Sequence, residues 1–398
     1  MATPTGDGGW AITGEKIWIS YGDHDLGQRI GHCLLARTPD APPGAAGLSL
    51  FLAPDVLEDP DGSGTRNAIF VRRIEEKLGL HGSPTCALGF EGARAQMIGA
   101  EGRGLAQLFT MIATMRLMVS VQGLALASGA ADVAFAYAEE RRQGGRADAP
   151  PIAIVEHADV KRQLLNMTSR VEAVRGLILT AAVQADLARL EPEGEARDEA
   201  QALMQWLLPI AKTFGGEAAF DTASDAIQVL GGAGYVRDWP VEQSLRDSRV
   251  FTIFEGTSGI QALDLLHRRL RREEGRGLKA FLRLARLDIA QADPVVRRPA
   301  QALAETLDLL EDAAARLAAK GAADAGAYPF LRLAACAATG WAALRLTGLD
   351  ASNLSGPRLA AAGWHWLSGL TANAALHHAQ ILAADEQLSR FEAVRRDH

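Results

Sequence analysis

The first hundred residues carry the pattern of a sheet. Within residues 10–99, short apolar runs alternate with Gly, Pro and Asp, as is typical of strands joined by turns. The runs lie at residues 10–20, 33–37, 47–54, 69–74 and 86–90. Because each run is short and ends at a turn signal, we predict a small antiparallel β-domain.

From Leu105 onward the strand signals stop and long helical stretches follow one another. The predicted helices cover residues 105–143, 156–190, 196–230, 299–319, 330–346 and 357–387. Long helices with short connections form bundles. After Leu270 the composition shifts to Ala, Leu and Arg, which indicates a second helical part. The predicted fold class is α+β, with a β-domain at 1–99, a helical bundle at 100–270 and a helical extension at 271–398.

Composition limits the classes of partner. The 398 residues are 48% hydrophobic, and the formal net charge of −7 comes from charges of both signs along the chain. This argues against nucleic acid or an anionic membrane surface as the main partner. The longest apolar region, residues 123–138, is shorter than the roughly 20 residues that span a bilayer. We therefore predict a buried helix there and no membrane span.

The cysteines indicate neither a metal site nor a disulfide framework. Cys33, Cys86 and Cys336 are scattered, without CxxC spacing and without a neighbouring pair of histidines. Isolated cysteines are typical of a reducing compartment, so the expected localisation is cytoplasmic.

Glu255 is an acidic residue in an apolar segment, "VFTIFEGT". Ser258 and Gln261 have the spacing of a capping box, so a helix begins at about Ser258 and Glu255 lies just before it. One interpretation is that Glu255 only favours the helix N-terminus electrostatically. The other is a desolvated carboxylate that acts as a base, with Gly256 letting the backbone come close to a ligand.

The sequence "IQVLGGAGY" ends a helix with consecutive glycines. Gly231 and Gly232 are typical of a helix C-cap. Together with Gln228 they also form a place where a nucleotide can lie against bare backbone. The dinucleotide-binding fingerprint is not matched, because that motif follows a strand.

Several stretches in the same order resemble one family. "QVLGGAGY" and "VEQSLRDSRVFTIFEGTSGIQALDL" are similar to the C-terminal signature of the acyl-CoA dehydrogenases, and "GGWAITGEKIWISYGDHD" and "EEKLGLHGSPTCALGFEGARAQMIG" resemble the family's middle β-domain and its exit into the helical bundle. The resemblance covers about residues 3–270. "HGSPTC" and the helical extension resemble the subgroup that includes methylthiopropanoyl-CoA dehydrogenase.

The resemblance implies an FAD-dependent oxidation of an acyl-CoA thioester to the 2-enoyl-CoA. Glu255 corresponds to the base that removes the α-proton, while its backbone N–H and a flavin hydroxyl hold the thioester carbonyl. Gly256 and Arg116 correspond to substrate-contacting positions. Arg116 is a lone arginine in an apolar helix, so it needs a partner, either a carboxylate or the acyl-CoA.

The resemblance also implies an FAD site. Trp18, Ile19 and Ser20 correspond to the segment beside the flavin ring, although Trp18 alone fits an ordinary strand-face aromatic. Arg141 and Gln143 correspond to contacts with the flavin pyrophosphate of a neighbouring subunit, although a solvated helix face is the alternative. The remaining implied contacts are Gln228, Gly231, Gly232 and Thr257. Gly259 stands where many members have glutamine, so the resemblance does not imply that side-chain contact here.

The implied partners are the acyl-CoA substrate, an electron-transferring flavoprotein as electron acceptor, and further copies of the chain in a homodimer or homotetramer. Two rival functions stay open at this point. One is an acyl-CoA oxidase, which uses the same base and flavin but reduces oxygen. The other is an inactive fragment or non-catalytic partner subunit, which flavin content distinguishes from either enzyme.

In the resembling family, a helical domain and first strands precede the point where this sequence begins, and they carry a flavin-binding segment of the form T-E-x-x-x-G-S-D. No stretch of this sequence matches that segment. We expect a truncated gene model or a split gene. We therefore expect this chain alone to be poorly soluble, to hold little FAD and to lack dehydrogenase activity, and an in-frame upstream segment to restore all three.

Overall fold

The structure is a computed structural model that describes residues 1–58, 60–319, 323–349 and 355–396. The chain divides into two compact units, Met1–Thr114 and Met115–His398. Each unit is described by itself below. The domain boundaries at residues 99 and 270, which come from composition, stay predictions.

The first unit is built on an antiparallel sheet of six strands. The strands of the unit are β1 (Ala2–Pro4), β2 (Trp10–Ser20), β3 (Gly31–Arg37), β4 (Leu48–Pro54), β5 (Val56–Glu58), β6 (Gly64–Arg66), β7 (Ile69–Ile74) and β8 (Thr85–Ile98). The sheet has the order β1-β2-β8-β4-β3, and β7 also pairs with β8, whereas β5 and β6 form a separate pair. The five predicted strands are confirmed, and β1, β5 and β6 are additional.

Strand β8 organises this sheet because it pairs with β2, β4 and β7. Its register with β2 shifts where Ile12 pairs with Ala93 and Thr13 with Glu91. Gly92 is the extra residue, with a φ of +77°, as in a β-bulge that begins with glycine. The buried side chains of the sheet form a small hydrophobic core that includes Ile12, Phe51 and Phe90.

The remaining described elements are helices. They are α1 (Gly104–Glu140), α2 (Ala158–Leu190), α3 (Glu195–Leu230), α4 (Gly232–Tyr235), α5 (Val241–Ser248), α6 (Ser258–Leu263), a π-helical segment (Asp264–Arg272), α7 (Arg276–Gln291), α8 (Arg297–Ala319), α9 (Ala327–Thr347), α10 (Gly356–Ser368), α11 (Leu370–Ser389) and α12 (Phe391–Arg396). Helix α1 begins in the first unit and continues in the second. The predicted α+β class is confirmed.

Two details of the helix prediction are wrong. Helix α7 was not predicted, because "GRGLKAFLRLARLDIAQ" was assigned to the extension without a boundary of its own. The single helix predicted at 357–387 is two helices, α10 and α11, separated at Gly369. Gly369 lies between the two helices with a φ of −99° and a ψ of −2°, outside the left-handed region.

The helices before and after Leu270 share one hydrophobic core. This core runs from Leu124 in α1 to Ile381 in α11. Trp206 of α3 packs edge-on against Phe330 of α9, with ring centroids 6.2 Å apart, and both side chains are completely buried. The extension is therefore packed into the same core as the bundle helices α2 and α3.

Helix α1 is apolar over most of its length. By length and composition it meets the requirements for a membrane-crossing helix, and it is the one helix of the described ranges that does so, a test that core helices also pass. The prediction that residues 123–138 are buried is correct for one face only. Ala127 and Ala134 are buried, whereas Ala125 and Gly129 are exposed.

Helices α1 and α3 approach each other closely at glycines. A Cβ at Gly123 would lie 2.4 Å from the carbonyl oxygen of Gly215, much closer than a carbon and an oxygen can come. At the exposed Gly129, in the same helix, a Cβ would meet nothing within 4 Å. Gly123 is thus needed for the close packing of α1 on α3, and Gly129 is not.

We expect Gly123→Ala to destabilise the chain by about 1–3 kcal/mol, the usual cost of overpacking a close contact. Gly129→Ala is the matched control and should stabilise the chain by up to about 1 kcal/mol, because alanine has the higher helix propensity. Free energies of unfolding from urea denaturation measure both changes. Equal effects of the two substitutions would contradict the close contact.

Candidate active site

Glu255 lies in a short loop before α6, with its backbone in the left-handed region. Its φ is +54°, and that of Gly256 is +89°. The left-handed region costs a residue with a side chain about 1–2 kcal/mol, so neighbouring groups must hold Glu255 there. At Gly256, a Cβ would lie 3.0 Å from Gln261 Nε2, and together with the positive φ this favours glycine.

The helix after the loop is capped by Thr257. The Thr257 hydroxyl accepts a hydrogen bond from the Ile260 N–H, and α6 begins at Ser258. The predicted start of the helix is confirmed, but the capping box that placed the cap at Ser258 is wrong by one residue. The physical reason is that the Gln261 amide does not reach back to a cap N–H, because it bonds to the loop.

Two buried side chains donate hydrogen bonds to the carbonyl groups of the loop. Gln261 Nε2 lies 2.9 Å from Glu255 O and 3.3 Å from Gly256 O. Lys212 Nζ lies 2.7 Å from Gly256 O. Both donor side chains are completely buried. Because a buried donor without a partner costs about 1–3 kcal/mol, these bonds satisfy the donors and also fix the loop.

Gly216 explains how Lys212 reaches the loop. The two residues are one turn apart in α3, on the same face of the helix. A Cβ at Gly216 would lie 2.9 Å from the carbonyl oxygen of Phe251, so a side chain here would push the segment away from α3. In the sequence "KTFGG", Gly216 thus allows the loop to approach α3, and Lys212 donates the hydrogen bond that holds the loop there.

The surroundings of Glu255 are only partly apolar. Phe251 is buried and its ring stacks on that of Phe254, with centroids 5.8 Å apart. Glu255 is half-buried, and Ile253 is 48% exposed. Within the described ranges, the Glu255 carboxylate has no hydrogen-bond or ion-pair partner. The side chain is therefore available to a ligand, although the predicted desolvation is incomplete.

Arg116 has a carboxylate partner within the chain. Its Nη1 lies 2.7 Å from Asp264 Oδ2, and the two side chains are 6% and 11% exposed. Arg269 Nη2 lies 3.7 Å from the same oxygen, and Arg269 Nη1 lies 2.8 Å from Glu273 Oε1. Of the two partners considered for Arg116, the carboxylate is the one present. Asp264 thus neutralises two buried guanidinium groups.

The pKa of Lys212 depends both on Arg116, which belongs to this charged cluster, and on Glu255. Burial, together with the nearby Arg116 guanidinium, lowers the pKa of Lys212 to about 8, although Glu255 acts in the opposite direction. A chain of charged groups therefore leads from Asp264 through Arg116 and Lys212 to Glu255. Sequence reasoning missed Lys212, Gln261 and Asp264.

A signal for Lys212 was nevertheless in the sequence. It is the one charged residue between Glu199 and Glu217, just as Arg116 is the one charged residue between Arg103 and Asp132. A lone cation in an apolar helix needs a polar partner. Applied to α3 as it was to α1, this rule would have singled out Lys212.

The glycines after α3 form the predicted C-cap. Gly231 has a φ of +61°, and its N–H donates to Ile227 O at 2.9 Å. A Cβ at Gly231 or Gly232 would meet nothing within 4 Å, and Gln228 is exposed. The backbone here is accessible from outside the chain, as the alternative interpretation, a surface for a nucleotide, requires.

Arg141 and Gln143 lie in the extended segment after α1. Gln143 N–H donates to Ile152 O at 2.9 Å, and Ile154 N–H donates to Arg141 O at 2.8 Å. Both side chains are exposed. The backbone of the segment is therefore fixed while the two side chains point to solvent, and neither is in a buried ion pair.

In the first unit, Trp18 lies at an irregularity of β2. The register between β2 and β8 shifts between Lys16 and Ile19, and Trp18 has a φ of +62°. The indole is 72% exposed. Ile19 is half-buried and Ser20 is exposed. A bulge of this kind redirects a side chain, so Trp18 is not a strand-face aromatic packed on the sheet.

The loop that contains Glu255, Gly256 and Thr257 lies in a part of the chain that matches a known family. Residues 102–270 match the family described as Acyl-CoA dehydrogenase, C-terminal domain. Over these residues the chain is similar to the acyl-CoA dehydrogenases, and the predicted resemblance is confirmed. The matched residues contain the Glu255 loop, both of its buried donors, and the segments at Arg141 and Gly231.

Individual relatives agree with this assignment. A 3-methylmercaptopropionyl-CoA dehydrogenase from Ruegeria pomeroyi is 39% identical over 354 residues, which are 85% of this chain and 60% of that protein. The structure of Caenorhabditis elegans ACDH-11 in complex with C11-CoA has a TM-score of 0.79 at 24% identity, covering 92% of this chain and 62% of that one.

An acyl-CoA dehydrogenase complexed with FAD from Bacillus anthracis has a TM-score of 0.77 at 18% identity, covering 99% of this chain and 68% of that one. At these identities the two solved structures show a shared fold. The chain spans 60% of the length of its Ruegeria pomeroyi relative.

We expect Asp264→Asn to destabilise the chain by about 3–5 kcal/mol, because it leaves Arg116 and Arg269 buried beside a neutral amide. The control is Asp186→Asn, which removes a carboxylate from an exposed pair with Arg189. That change should cost less than about 1 kcal/mol. Urea denaturation of both variants measures the difference, and similar costs would contradict a buried charge cluster.

The lowered pKa of Lys212 predicts a pH dependence of stability. Between pH 8 and the ordinary lysine value of 10.5, Lys212 is neutral in the folded chain and protonated in the unfolded chain. The unfolded state then binds more protons, so stability rises with pH. Relative to Lys212→Met, the wild type should gain up to about 1.4 kcal/mol per pH unit in this window.

Urea denaturation of both chains at pH 7, 8, 9 and 10 measures this difference. The control is Lys161→Met, since Lys161 is an exposed lysine, and its difference from wild type should stay constant above pH 8. A constant difference for Lys212→Met as well would show that Lys212 titrates like an exposed lysine.

Proposed function

We propose that this chain carries the catalytic base and much of the cofactor site of an FAD-dependent acyl-CoA dehydrogenase. The observation that supports it most directly is the Glu255 loop. Its backbone is fixed by two buried donors, while its carboxylate has no partner within the described ranges. A fixed backbone and a free carboxylate are what a general base requires.

Glu255 has two tasks in this proposal. Its carboxylate accepts the proton from the α-carbon of the thioester. Its backbone N–H, which has no acceptor among the described residues, donates to the thioester carbonyl. A hydrogen bond to that oxygen stabilises the negative charge that develops as the proton leaves. Gly256 gives the thioester access, because no side chain covers the backbone there.

The residues of the proposed FAD site fit a large anionic ligand with a flat ring. The exposed Arg141 and Gln143 offer a cation and an amide to the pyrophosphate, and Gly231 and Gly232 offer uncovered backbone to the adenosine. Gln228 and Thr257 complete this set in the second unit. In the first unit, the exposed Trp18, with Ile19 and Ser20, offers a surface for the flavin ring. When bound, FAD supplies the two-electron oxidation.

The substrate is proposed to be an acyl-CoA. The Ruegeria pomeroyi relative makes a short acyl chain with a thioether the first thioester to test. Arg116 is proposed to act on the site through Asp264 and Lys212, because its guanidinium is buried in an ion pair. The electron acceptor is proposed to be an electron-transferring flavoprotein, and the assembly a homodimer or homotetramer in the cytoplasm.

We expect Glu255→Gln to abolish flavin bleaching by acyl-CoA while FAD stays bound, because the amide cannot accept the proton. Glu274→Gln is the matched control, since Glu274 is another glutamate with a left-handed backbone, at a φ of +53°. It should keep the wild-type rate. The assay uses a panel of acyl-CoA thioesters, with the chain alone or with an in-frame upstream segment, whichever preparation binds FAD.

A residual rate above about a tenth of wild type, a loss of less than about 1.4 kcal/mol, would show that Glu255 is not the base. Oxygen consumption with peroxide release during turnover would identify an oxidase instead. A preparation that binds no FAD in either form would favour a non-catalytic partner.

A further inference from the structure

Lys212 is a buried cation whose hydrogen-bond partner is a carbonyl group rather than a carboxylate. Its side chain is completely buried in α3, and its Nζ donates to Gly256 O over 2.7 Å. A buried ammonium group is costly unless it is paired and hydrogen-bonded. The charge is therefore energetically unfavourable at this position, and a neutral side chain of similar size would fill the same space.

The groups around Lys212 show what the charge acts on. From α1, Arg116 disfavours the charged ammonium, and from the loop, Glu255 favours it. In the π-helical segment, Asp264 is engaged by Arg116 and Arg269, and Glu273 is engaged by Arg269. Glu255 is thus the acidic group near Lys212 that no other described cation neutralises.

The hydrogen bond also acts on the backbone of Glu255. Gln261 and Lys212 together bond the carbonyl oxygens of Glu255 and Gly256, which belong to two consecutive peptide links. Two consecutive residues with positive φ need such support, because the left-handed region is unfavourable for a glutamate. With these carbonyls fixed, the side-chain torsions alone determine where the Glu255 carboxylate lies.

We propose that Lys212 is a positioning residue for Glu255, which holds the left-handed Glu255–Gly256 backbone through the Gly256 carbonyl and so fixes where the carboxylate lies. The inference rests on the proposed role of Glu255 as the base. The hydrogen bond acts before the proton is transferred. Lys212 itself touches neither substrate nor cofactor in this proposal.

The test compares three substitutions at Lys212 with one control. Lys212→Met removes the donor and the charge, Lys212→Gln keeps a donor without the charge, and Lys212→Arg keeps both. The control is Thr213→Val, the adjacent residue of α3, which is also completely buried and whose hydroxyl has no partner among the described residues. Circular dichroism establishes which variants fold.

The first readout is amide hydrogen exchange of residues 253–261, which requires neither cofactor nor activity. Exchange should be faster in Lys212→Met than in wild type, and unchanged in Thr213→Val. Unchanged exchange in Lys212→Met would overturn the proposal, because the loop would then be held without Lys212. If Lys212→Met does not fold, the comparison uses Lys212→Gln and Lys212→Arg.

The second readout is the rate of flavin bleaching at saturating acyl-CoA, in the preparation that binds FAD. Lys212→Met should lower the rate about 10- to 100-fold with little change in KM, since a misplaced base slows the chemical step. Lys212→Gln and Lys212→Arg, which keep a donor, should retain more of the rate than Lys212→Met.

A purely structural role makes a different prediction. Loop exchange would then increase in Lys212→Met, but the rate at saturating acyl-CoA would stay that of wild type, and that outcome would overturn the proposal. Failure of the proposed function would give a different set of results. If Glu255→Gln retained full activity, the exchange readout would still show whether Lys212 holds the loop, and the base would have to be another residue.

Discussion

The hydrogen bond from Lys212 to the carbonyl of Gly256 is the contact on which the candidate site depends. It requires that the segment before Glu255 lies against α3, which Gly216 permits by having no side chain toward Phe251. Helix α3 also lies close against α1, which Gly123 and Gly215 permit. Small residues in α3 thus determine how closely the Glu255 segment and α1 approach it.

Charge balance is the second constraint on this region. Arg116, Lys212 and Arg269 are all buried, and such groups are tolerated only when opposite charges or acceptors surround them. Asp264 lies between the two arginines, and it enters the cluster because the π-helical segment follows α6 directly. The loop of Glu255 is therefore held on both sides. Lys212 bonds it to α3, and α6 connects it to the charged cluster around Asp264. Changing one charged group alters the electrostatics at all the others.

Periodicity predicted the elements, but it did not predict the contacts between them. The strands and long helices follow from runs of apolar residues, and the loop of Glu255 follows from its helix-start signal. The partner of Arg116 is 148 residues away, and that of Lys212 is 44 residues away, distances over which a local pattern carries no information. The cap at Thr257 was missed because Thr257 and Ser258 are adjacent and both can cap a helix. The break at Gly369 was missed because a single glycine within a helical pattern does not by itself end a helix.

The candidate residues fall into two physical groups. Around Glu255, the loop carbonyls and the buried cations have partners within the chain, whereas the Glu255 carboxylate has none among the described residues. Trp18, Arg141 and Gly231 are exposed, and Trp18 holds an unfavourable backbone angle without burial of its ring. Exposed aromatic and cationic groups on a fixed backbone are available to a ligand or a second chain. The two groups therefore call for different experiments, stability measurements for the first and binding measurements for the second.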